Sequence, residues 1–390
     1  MVSQLDLNSL KYCRLIDLSA IKRKSLFLFG PRQTGKSTLL KSLFPKSLLI
    51  NLLKSDQFLK YQQSPKLFRE EVLTYTNERP IIVDEIQKLP ILLDEIHYLI
   101  EEHHYLFILT GSSSRKLKRH SVNLLGGRAL ERRLFPLVTQ EIGSFDLNKI
   151  INFGSLPAIY DSPDPEDDLF SYVGTYLKEE IQQESNLRNL GPFTNFLEKA
   201  AIDNTELLNF SNIASDVGTS ANTVKEYYQI LQDTLIGHLL PPFKQTIKRK
   251  AISKAKFYFF DVGIANVLAK RFNIQPKSEL YGKCLEHLVF IELQAYLSYF
   301  KVRKELTFWR SVNGQEVDFI VGNKIAIEVK ATTRVQPKHL KGIKALGEEI
   351  PLTHKIIISL DDHKRKTDEG FMIYPFREFV KTLWANEAFI

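Results

Sequence analysis

Short apolar runs alternate with helix-like stretches over the first third of the chain, a pattern typical of an α/β domain with a buried parallel sheet. The first run is Ser25–Phe29, and the second, residues 81–83, is β-branched throughout. A third run covers residues 106–110. Runs of this length with polar flanks are typical of strands buried on both faces. We therefore predict three strands at these positions.

The middle of the chain has the periodicity of helices. Over residues 164–240, apolar positions recur at intervals of three and four, the spacing of one buried helix face. The first such set is Leu169, Tyr172, Val173, Tyr176 and Leu177. Further on, Phe210–Val217 and residues 221–231 predict two helices on either side of a tight turn, with Ser220 as the N-cap of the second. This segment therefore predicts a helix–turn–helix.

Two alternating runs in the C-terminal third, Glu316–Val321 and residues 324–330, flank a Gly-Asn turn and predict a β-hairpin. We expect Asp318 to lie opposite Glu328, because this register collects the apolar residues of both strands on one face. A slip of one residue would mix the two faces. Asp318, Glu328 and Lys330 would then share the other face of the hairpin.

Composition narrows the class of protein. The chain has 390 residues, which predicts two or three domains, and its 44% hydrophobic and 25% charged residues are ordinary for a globular protein. The longest run without Asp, Glu, Lys or Arg, residues 103–114, is too short to span a membrane. Asp6 argues against a signal peptide, and Cys13 and Cys284 are too few for a disulfide framework. We expect a cytoplasmic protein that makes no membrane contact.

Charge is distributed unevenly along the chain. Residues 1–160 hold 23 basic and 15 acidic side chains, residues 161–245 hold 5 and 14, and residues 246–390 hold 25 and 16. Two basic blocks around an acidic middle suggest three segments, and we predict domains at 1–150, 151–260 and 261–390. The basic blocks are candidates for contact with nucleic acid. Alternatively, the lysines only keep a large protein in solution.

A phosphate-binding loop follows the first predicted strand directly. The sequence Gly-Pro-Arg-Gln-Thr-Gly-Lys-Ser matches G-x-x-x-x-G-K-[ST] and is followed by good helix formers, as the motif requires. The predicted ATP contacts are Gly30, Pro31, Arg32, Gln33, Thr34, Gly35, Lys36, Ser37 and Thr38. We expect Lys36 to reach the β- and γ-phosphates and the Ser37 hydroxyl to bind Mg²⁺.

Polar residues follow the other two predicted strands. Asp84 and Glu85 end the second strand, where Asp84 would hold Mg²⁺ and Glu85 would polarise the attacking water. The pair could instead cap the next helix. Ser112 follows the third strand and would sense the γ-phosphate, unless this segment is an ordinary serine-rich turn.

Arg128 follows two glycines and is our candidate for an arginine supplied to the ATP of a neighbouring subunit. Arg132 and Arg133 compete for this role, and one of the three arginines could simply pair with Glu131 or Glu141. An arginine delivered in this way requires a homo-oligomer, for which we favour a hexameric ring.

DNA contact is predicted after the helix–turn–helix rather than in it. The second helix offers few cations and lies in the acidic segment, whereas phosphate contacts normally dominate affinity for DNA. Residues 244–256 carry six cations and no acid, and we assign DNA contacts to Lys248, Arg249 and Lys250. A charged hairpin that is merely solvated is the alternative.

The carboxylates of the C-terminal third suggest a metal site. Residues 283–293 predict a helix that contains Glu286. With Asp318 and Glu328 it could bind Mg²⁺, while Lys330 holds a hydroxide that attacks a phosphodiester. The alternative is a ladder of ion pairs on a half-exposed sheet.

The chain resembles a family of AAA-type ATPases that join a P-loop domain, a winged helix and a C-terminal restriction-endonuclease-like domain. The resemblance rests on residues 30–37, 82–87, 109–113, 240–243, 256–263, 308–310, 314–319 and 327–331. It implies a PD-(D/E)xK fold in which Glu286, Asp318, Glu328 and Lys330 match the four active positions. No proline precedes Asp318, which departs from the motif.

These observations predict an ATP-hydrolysing motor that acts on branched or forked DNA and carries a Mg²⁺-dependent, nuclease-type C-terminal domain. Two alternative hypotheses remain. One is an ATPase whose C-terminal domain binds DNA without cutting it, and the other is a nucleotide-gated switch that binds other proteins through its acidic middle segment.

Overall fold

A computed structural model describes residues 11–113, 124–177, 190–246 and 249–389 of the chain. The contacts within the chain divide it into two compact units. Unit 1 comprises Met1–Leu137 together with Asp233–Leu235, and unit 2 comprises Val138–Gln232 together with Ile236–Ile390.

A five-stranded parallel sheet forms the centre of unit 1. Its strands are β1 (Ser25–Phe29), β2 (Leu49–Asn51), β3 (Ile81–Asp84), β4 (Phe107–Gly111) and β5 (Ala129–Arg133). The spatial order is β2-β3-β4-β1-β5, and each neighbouring pair is parallel. The helices of this unit are α1 (Lys36–Leu43), α2 (Ser55–Gln63), α3 (Pro65–Val72) and α4 (Leu92–His103).

The three strands predicted in unit 1 are confirmed, with ends that differ by one residue at most. β1, β3 and β4 are buried along their whole length, as expected for central strands of a parallel sheet. Because these strands are parallel neighbours, the residues at their carboxyl ends meet at one edge of the sheet.

Helices make up the first half of unit 2. They are α5 (Thr139–Ile142), α6 (Leu147–Phe153), α7 (Pro157–Asp161), α8 (Pro165–Ser171), α9 (Leu190–Ile202), α10 (Phe210–Val217), α11 (Ala221–Asp233) and α12 (Val262–Leu268). α8 continues into a π-helical turn, Tyr172–Leu177. Leu169 and Tyr172 lie in the core as predicted, whereas the side chains of Tyr176 and Leu177 lie outside the described part of the chain.

The predicted helix–turn–helix corresponds to α10 and α11. Gly218 ends α10 in the left-handed conformation (φ 69°), which glycine adopts without steric cost. The Ser220 hydroxyl accepts a hydrogen bond from the Thr223 amide at 3.1 Å, so Ser220 is the N-cap of α11. A two-stranded antiparallel hairpin, β6 (Gly237–Leu240) and β7 (Lys256–Phe259), follows in the chain.

The described residues between these two strands pair with an edge of the C-terminal sheet, which differs from the solvated hairpin that was the alternative for residues 244–256. The amide of Phe243 donates to the carbonyl of Phe308 at 2.6 Å, and that of Ile252 donates to the carbonyl of Arg310 at 2.8 Å. Lys256 lies in β7 and is buried. Backbone pairing with a strand edge outweighs the preference of this charged segment for water.

The C-terminal sheet has six strands in the order β12-β13-β11-β10-β9-β8. They are β8 (Leu306–Arg310), β9 (Glu316–Val321), β10 (Ile325–Lys330), β11 (His354–Ser359), β12 (Arg365–Lys366) and β13 (Phe371–Pro375). The helices of this part are α13 (Glu279–Tyr299), α14 (Lys341–Gly347) and α15 (Phe376–Trp384). The predicted hairpin is β9–β10, and its register agrees with the prediction, with Val321 opposite Ile325 and Phe319 opposite Ile327.

None of the helices in the described ranges combines the length and the apolar character that crossing a bilayer demands.

Candidate functional site

The phosphate-binding loop joins β1 to α1. Gly35 adopts φ 91° at the start of α1, a conformation that side chains with a Cβ rarely take. Gly30 packs so closely on the Leu134 carbonyl that a Cβ there would collide with it. The ammonium of Lys36 is buried inside the loop and donates to the carbonyls of Gly30 at 2.6 Å and Pro31 at 3.0 Å. Lys36 thus lies in the curve of the loop, where phosphate oxygens bind.

Ser37 and Asp84 meet at the carboxyl edge of the sheet. The Ser37 hydroxyl donates to Asp84 Oδ2 at 2.8 Å, and the Thr110 hydroxyl from β4 donates to Asp84 Oδ1. The two oxygens predicted to bind Mg²⁺ are therefore adjacent, although 47 residues separate them in the chain. A hydroxyl and a carboxylate are ligands of the kind that Mg²⁺ takes from proteins, so the donor set fits this ion.

Glu85 is held by a residue that the sequence analysis did not single out. Gln87 Nε2 donates to Glu85 Oε2 at 2.5 Å and to the Ser112 hydroxyl at 3.1 Å. Burial raises the pKa of Glu85 because it penalises the carboxylate, while the positive charge of Lys36 opposes the rise. Glu85, Gln87 and Ser112 form one buried polar group, which no local spacing could have suggested because Ser112 lies 25 residues from Gln87.

Arg14 is a second residue that sequence reasoning missed. Its guanidinium donates to the carbonyl of Thr34 in the phosphate loop at 2.6 Å and to that of Phe135 at 2.6 Å. Arg14 therefore ties the phosphate loop to the last residues of unit 1. No motif marks it, because its partners lie 20 and 121 residues away.

The arginines after the glycine pair have partners within their own chain. Arg128 forms an ion pair with Glu101 from α4, a partner that we did not consider. Arg133 pairs with Glu131 at 2.8 Å, and Arg132 donates to the carbonyls of Asp17 and Glu131. Arg128 is half-exposed at the surface of unit 1, and its role in a neighbouring subunit stays a prediction.

A second polar cluster lies in unit 2, where α13 packs on β10. Its members from the prediction are Glu286, Asp318, Glu328 and Lys330. Asp318 Oδ2 accepts a hydrogen bond from the Val329 amide of β10 at 2.7 Å. Lys330 pairs with Glu328 Oε1 at 2.5 Å, whereas Glu328 Oε2 is buried without a hydrogen-bond partner.

The charges of this cluster interact strongly. Burial raises the pKa of Glu286 to about 7, and the negative charge of Asp318 adds to the rise while Lys256 opposes it. Burial and Asp318 also hold the pKa of Glu328 well above its usual value. For Lys330, burial disfavours the charged ammonium, but the attraction of the three carboxylates outweighs it and raises the pKa. The cluster therefore has a surplus of negative charge in a dry environment.

The half-exposed ladder considered above is wrong, because Asp318 and Glu328 are only 5% and 6% exposed and both faces of the hairpin are covered. Across the residues with described structure, no three acidic, histidine or cysteine side chains stand close enough together to hold a metal ion. Carboxylates, including the unpartnered oxygen of Glu328, are ligands that a hard cation such as Mg²⁺ prefers. However, Lys256 already pairs with Glu286 and Lys330 already pairs with Glu328.

The three predicted DNA contacts differ in their surroundings. Lys248 lies outside the described residues, and Lys250 is exposed. The guanidinium of Arg249 pairs with Glu348 at 2.5 Å and Glu349 at 3.0 Å, so two carboxylates next to α14 already neutralise it. Of the two predicted contacts with described structure, Arg249 and Lys250, only Lys250 has a charge that faces solvent and could meet a phosphate.

Family models match three consecutive parts of the chain. Residues 22–143 match the AAA domain, residues 144–275 match the domain of unknown function DUF8612, and residues 281–379 match the domain of unknown function DUF4143. The phosphate loop, the Asp84–Glu85 pair and Ser112 all fall within the AAA match.

Similar proteins cover most of the chain at low identity. An uncharacterised protein of Mycobacterium tuberculosis is 22% identical over 95% of this chain and 86% of its own length, and one of Methanocaldococcus jannaschii is 26% identical over 81% and 76%. Among solved structures, a Walker-type ATPase of Pyrococcus abyssi is 17% identical with a TM-score of 0.40, covering 64% of this chain and 92% of that one. The Aeropyrum pernix Orc1 protein in complex with DNA is 11% identical with a TM-score of 0.25, covering 65% and 89%.

The match to the AAA domain coincides with a parallel sheet, a phosphate-binding loop and an acidic pair at the adjoining strand end. The N-terminal part of this chain is therefore similar to the AAA domain and has the geometry of a nucleotide-binding site.

Proposed function

We propose that the chain is an ATP-driven enzyme that acts on branched or forked DNA and carries a Mg²⁺-dependent phosphodiesterase site in unit 2. The observation that carries the proposal is the cluster of Glu286, Asp318, Glu328 and Lys330, which two adjacent strands and a helix bring together in the same chain as an AAA-type ATPase domain.

In unit 1, Lys36 would bind the β- and γ-phosphates of ATP, and Ser37 and Asp84 would hold Mg²⁺, which would supply positive charge beside the phosphates. Glu85 accepts a proton from the attacking water. Burial raises the pKa of Glu85, which makes its carboxylate a stronger base than that of an exposed glutamate.

Gln87 and Ser112 orient Glu85. Because Gln87 donates to both side chains, a change at Ser112 caused by the γ-phosphate moves the amide that holds Glu85. Arg128 completes the ATP site of a neighbouring subunit in a homo-oligomer, for which it must first leave Glu101.

Unit 2 contacts DNA through the basic segment that follows its helix–turn–helix. The order α9, α10, α11 and then the β6–β7 hairpin supports a winged helix. The exposed Lys250, together with Lys248 and Arg249 in the same segment, contacts the phosphate backbone, and Arg249 does so only after it separates from its two carboxylates.

The antiparallel β8–β9–β10 strands, with α13 before them and β11 parallel to β10 after them, support a restriction-endonuclease-like fold. Glu286, Asp318 and Glu328 would hold Mg²⁺, which lowers the pKa of bound water and so supplies a nucleophile for phosphodiester cleavage. Lys330 lies against Glu328 and would hold the attacking hydroxide.

The test is cleavage of an end-labelled forked duplex with ATP and Mg²⁺ by wild type, Asp318→Ala and Glu85→Gln. We expect Asp318→Ala to abolish cleavage while ATP hydrolysis continues, and Glu85→Gln to slow hydrolysis by roughly 10²–10⁴-fold. Equal product from wild type and Asp318→Ala would show that this cluster is not the nuclease site.

A second candidate function is binding of DNA without cleavage. The observation that favours it is that no three potential ligands in the described ranges are gathered closely enough for a metal. In this case the wild type retains the forked duplex in a binding assay, and no fragment appears at any Mg²⁺ concentration.

A further inference from the structure

A cavity of about 480 Å³ lies in unit 2, where α15 packs on α5 and the turn after it. Its volume falls in the usual range of small-molecule sites, about 300–1,000 Å³. The described lining includes none of the residues assigned to the ATP site, to the carboxylate cluster or to DNA. The lining residues that matter for ligand chemistry are Phe145, Arg377, Val380, Lys381, Trp384 and Ala385.

The inner wall of this cavity is apolar and held in place. Phe145, Val380 and Trp384 are buried. The Trp384 indole donates to the buried Glu292 at 2.6 Å, and the same carboxylate accepts from the Thr139 amide on the opposite wall at 2.8 Å. One carboxylate thus ties the two walls together, so the cavity is formed before any ligand enters, as is usual for small-molecule sites.

The mouth of the cavity is cationic. Arg377 and Lys381 are exposed and lie one helical turn apart on α15, so both side chains leave the same face of the helix. The Arg377 guanidinium lies 4.5 Å from the centre of the Phe145 ring, and its Nη1 donates to the Phe145 carbonyl at 3.1 Å. These two contacts fix Arg377 at the cavity without neutralising its charge.

Acids of the fold do not balance this pair of cations. In the ranges that the structure describes, neither Arg377 nor Lys381 forms an ion pair with a carboxylate. Asp146, which follows Phe145 in the chain, instead accepts from the amides that it caps at the start of α6. Like charges one turn apart on a helix repel each other, so an anion between them would stabilise the pair.

We propose that this cavity binds a small organic acid with an aromatic or branched apolar part. Its carboxylate pairs with Arg377 and Lys381, since the planar guanidinium matches a carboxylate with two parallel hydrogen bonds. Its apolar part packs on Phe145, Val380 and Trp384. The site goes beyond the proposed function, because none of its residues takes part in ATP or DNA chemistry, and its failure would leave that function untouched.

The test uses 2-naphthoate as the probe and 2-naphthamide, which has the same rings without the charge, as the matched ligand. Saturation-transfer NMR titrations of the full chain measure both affinities. For a ligand of this size we expect 2-naphthoate to bind with a Kd on the order of 0.1–1 mM. We expect 2-naphthamide to bind roughly tenfold more weakly, because it forms no charge-assisted pair.

Two variants separate the charge from the space. Arg377→Met should weaken binding of 2-naphthoate roughly tenfold and leave binding of 2-naphthamide unchanged. Ala385→Trp, at an exposed position on the cavity, should weaken both ligands because its side chain fills the space. Arg303→Met removes an exposed arginine elsewhere in unit 2 and should bind both ligands as wild type does.

If Arg377→Met does not fold, Arg377→Gln serves, since it keeps a donor for the Phe145 carbonyl without the charge. Equal affinity for 2-naphthoate in wild type, Ala385→Trp and the Arg377 variant would overturn the inference. Equal affinity of wild type for the two ligands would also overturn it, because the cationic mouth would then select nothing. Absence of saturation transfer from wild type to 2-naphthoate would have the same consequence.

Discussion

Glu85 occupies a strained backbone position at the ATP site. Its φ of 61° lies in the left-handed region, which costs a residue with a Cβ roughly 1–2 kcal/mol. Its amide donates to the Thr110 hydroxyl at 3.2 Å, and its carboxylate accepts from Gln87, so tertiary contacts hold the residue there. Strain of this kind is retained at sites where a side chain must point in one direction.

Arg14 should affect ATP binding although it belongs to no motif. Arg14→Lys keeps the charge but loses the planar fork whose two nitrogens donate separately to the carbonyls of Thr34 and Phe135. We expect KM for ATP to rise roughly tenfold, which corresponds to about one lost hydrogen bond, with a smaller change in kcat.

Steady-state ATP hydrolysis measures both constants. Arg23→Lys, at an exposed position, is the control and should match wild type. A fall in kcat with an unchanged KM would contradict the positioning of the phosphate loop by Arg14.

Glu292 should make the stability of unit 2 depend on pH. It is buried in α13 and accepts hydrogen bonds from the Thr139 amide at 2.8 Å and the Trp384 indole at 2.6 Å. Burial nevertheless raises its pKa from 4.5 to about 7. The protonated Glu292 therefore stabilises the folded state fully at pH values below the unfolded pKa. As the pH rises through 7, this stabilisation is lost and the free energy of unfolding falls by about 3 kcal/mol.

Glu292→Gln should lack this dependence, since its amide does not ionise. Urea unfolding of both proteins at pH values of about 5 and about 8 measures the effect. The same loss of stability between these pH values in wild type and variant would show that other groups cause it.

At the scale of elements, two short segments depend on partners that are distant in the chain. The phosphate loop needs the close approach of Leu134 to Gly30, and residues 241–243 and 250–252 need the edge strand β8 and the residues just after it. The helix–turn–helix, in contrast, is built from local signals: a left-handed Gly218, the Ser220 cap and the apolar faces of α10 and α11.

Ser220→Ala should therefore destabilise α11 by about 1 kcal/mol, the usual loss when a capping hydroxyl is removed. Urea unfolding followed by circular dichroism measures this loss. Ser211→Ala on the exposed face of α10 should cause no loss, because alanine favours a helix. Equal stability of Ser220→Ala and wild type would mean that packing alone positions α11.

At the scale of the whole molecule, the charge pattern bears on DNA binding. Residues 246–390 carry a surplus of nine basic residues, but Arg249, Lys256 and Lys330 are paired with carboxylates and contribute little to an external field. Of the predicted contacts with described structure, Lys250 is exposed and can meet phosphate. The division into three domains by charge stays a prediction, since the contacts define two units.

Affinity for a forked duplex should fall at least roughly tenfold between about 50 and about 200 mM salt, because contacts with phosphate release counter-ions. Lys250→Met should reduce the slope of log affinity against log salt by about one. Fluorescence anisotropy with labelled DNA measures both.

Lys381→Met removes the same charge from an exposed position in α15 and should leave the slope unchanged. Binding that does not respond to salt would argue against DNA as the partner and for protein docking on the acidic middle.

The sequence by itself determined the features that depend on local pattern. The phosphate loop with Lys36 and Ser37, the strands β3 and β4, the α10–α11 turn and the register of β9 on β10 follow from periodicity, turn residues and the need to bury one face. These signals act between residues that are close in the chain or on one face of an element.

Only the tertiary structure decided which charges meet. Gln87 reaches Ser112, Arg14 reaches Phe135, and Lys256 lies between Glu286 and Glu316. Such contacts depend on how separate elements pack, and no spacing within one element encodes them. In a surface hairpin, Lys256 would be solvated. In the folded chain the packing of β7 against α13 removes it from water, so it is a counter-ion in a buried cluster.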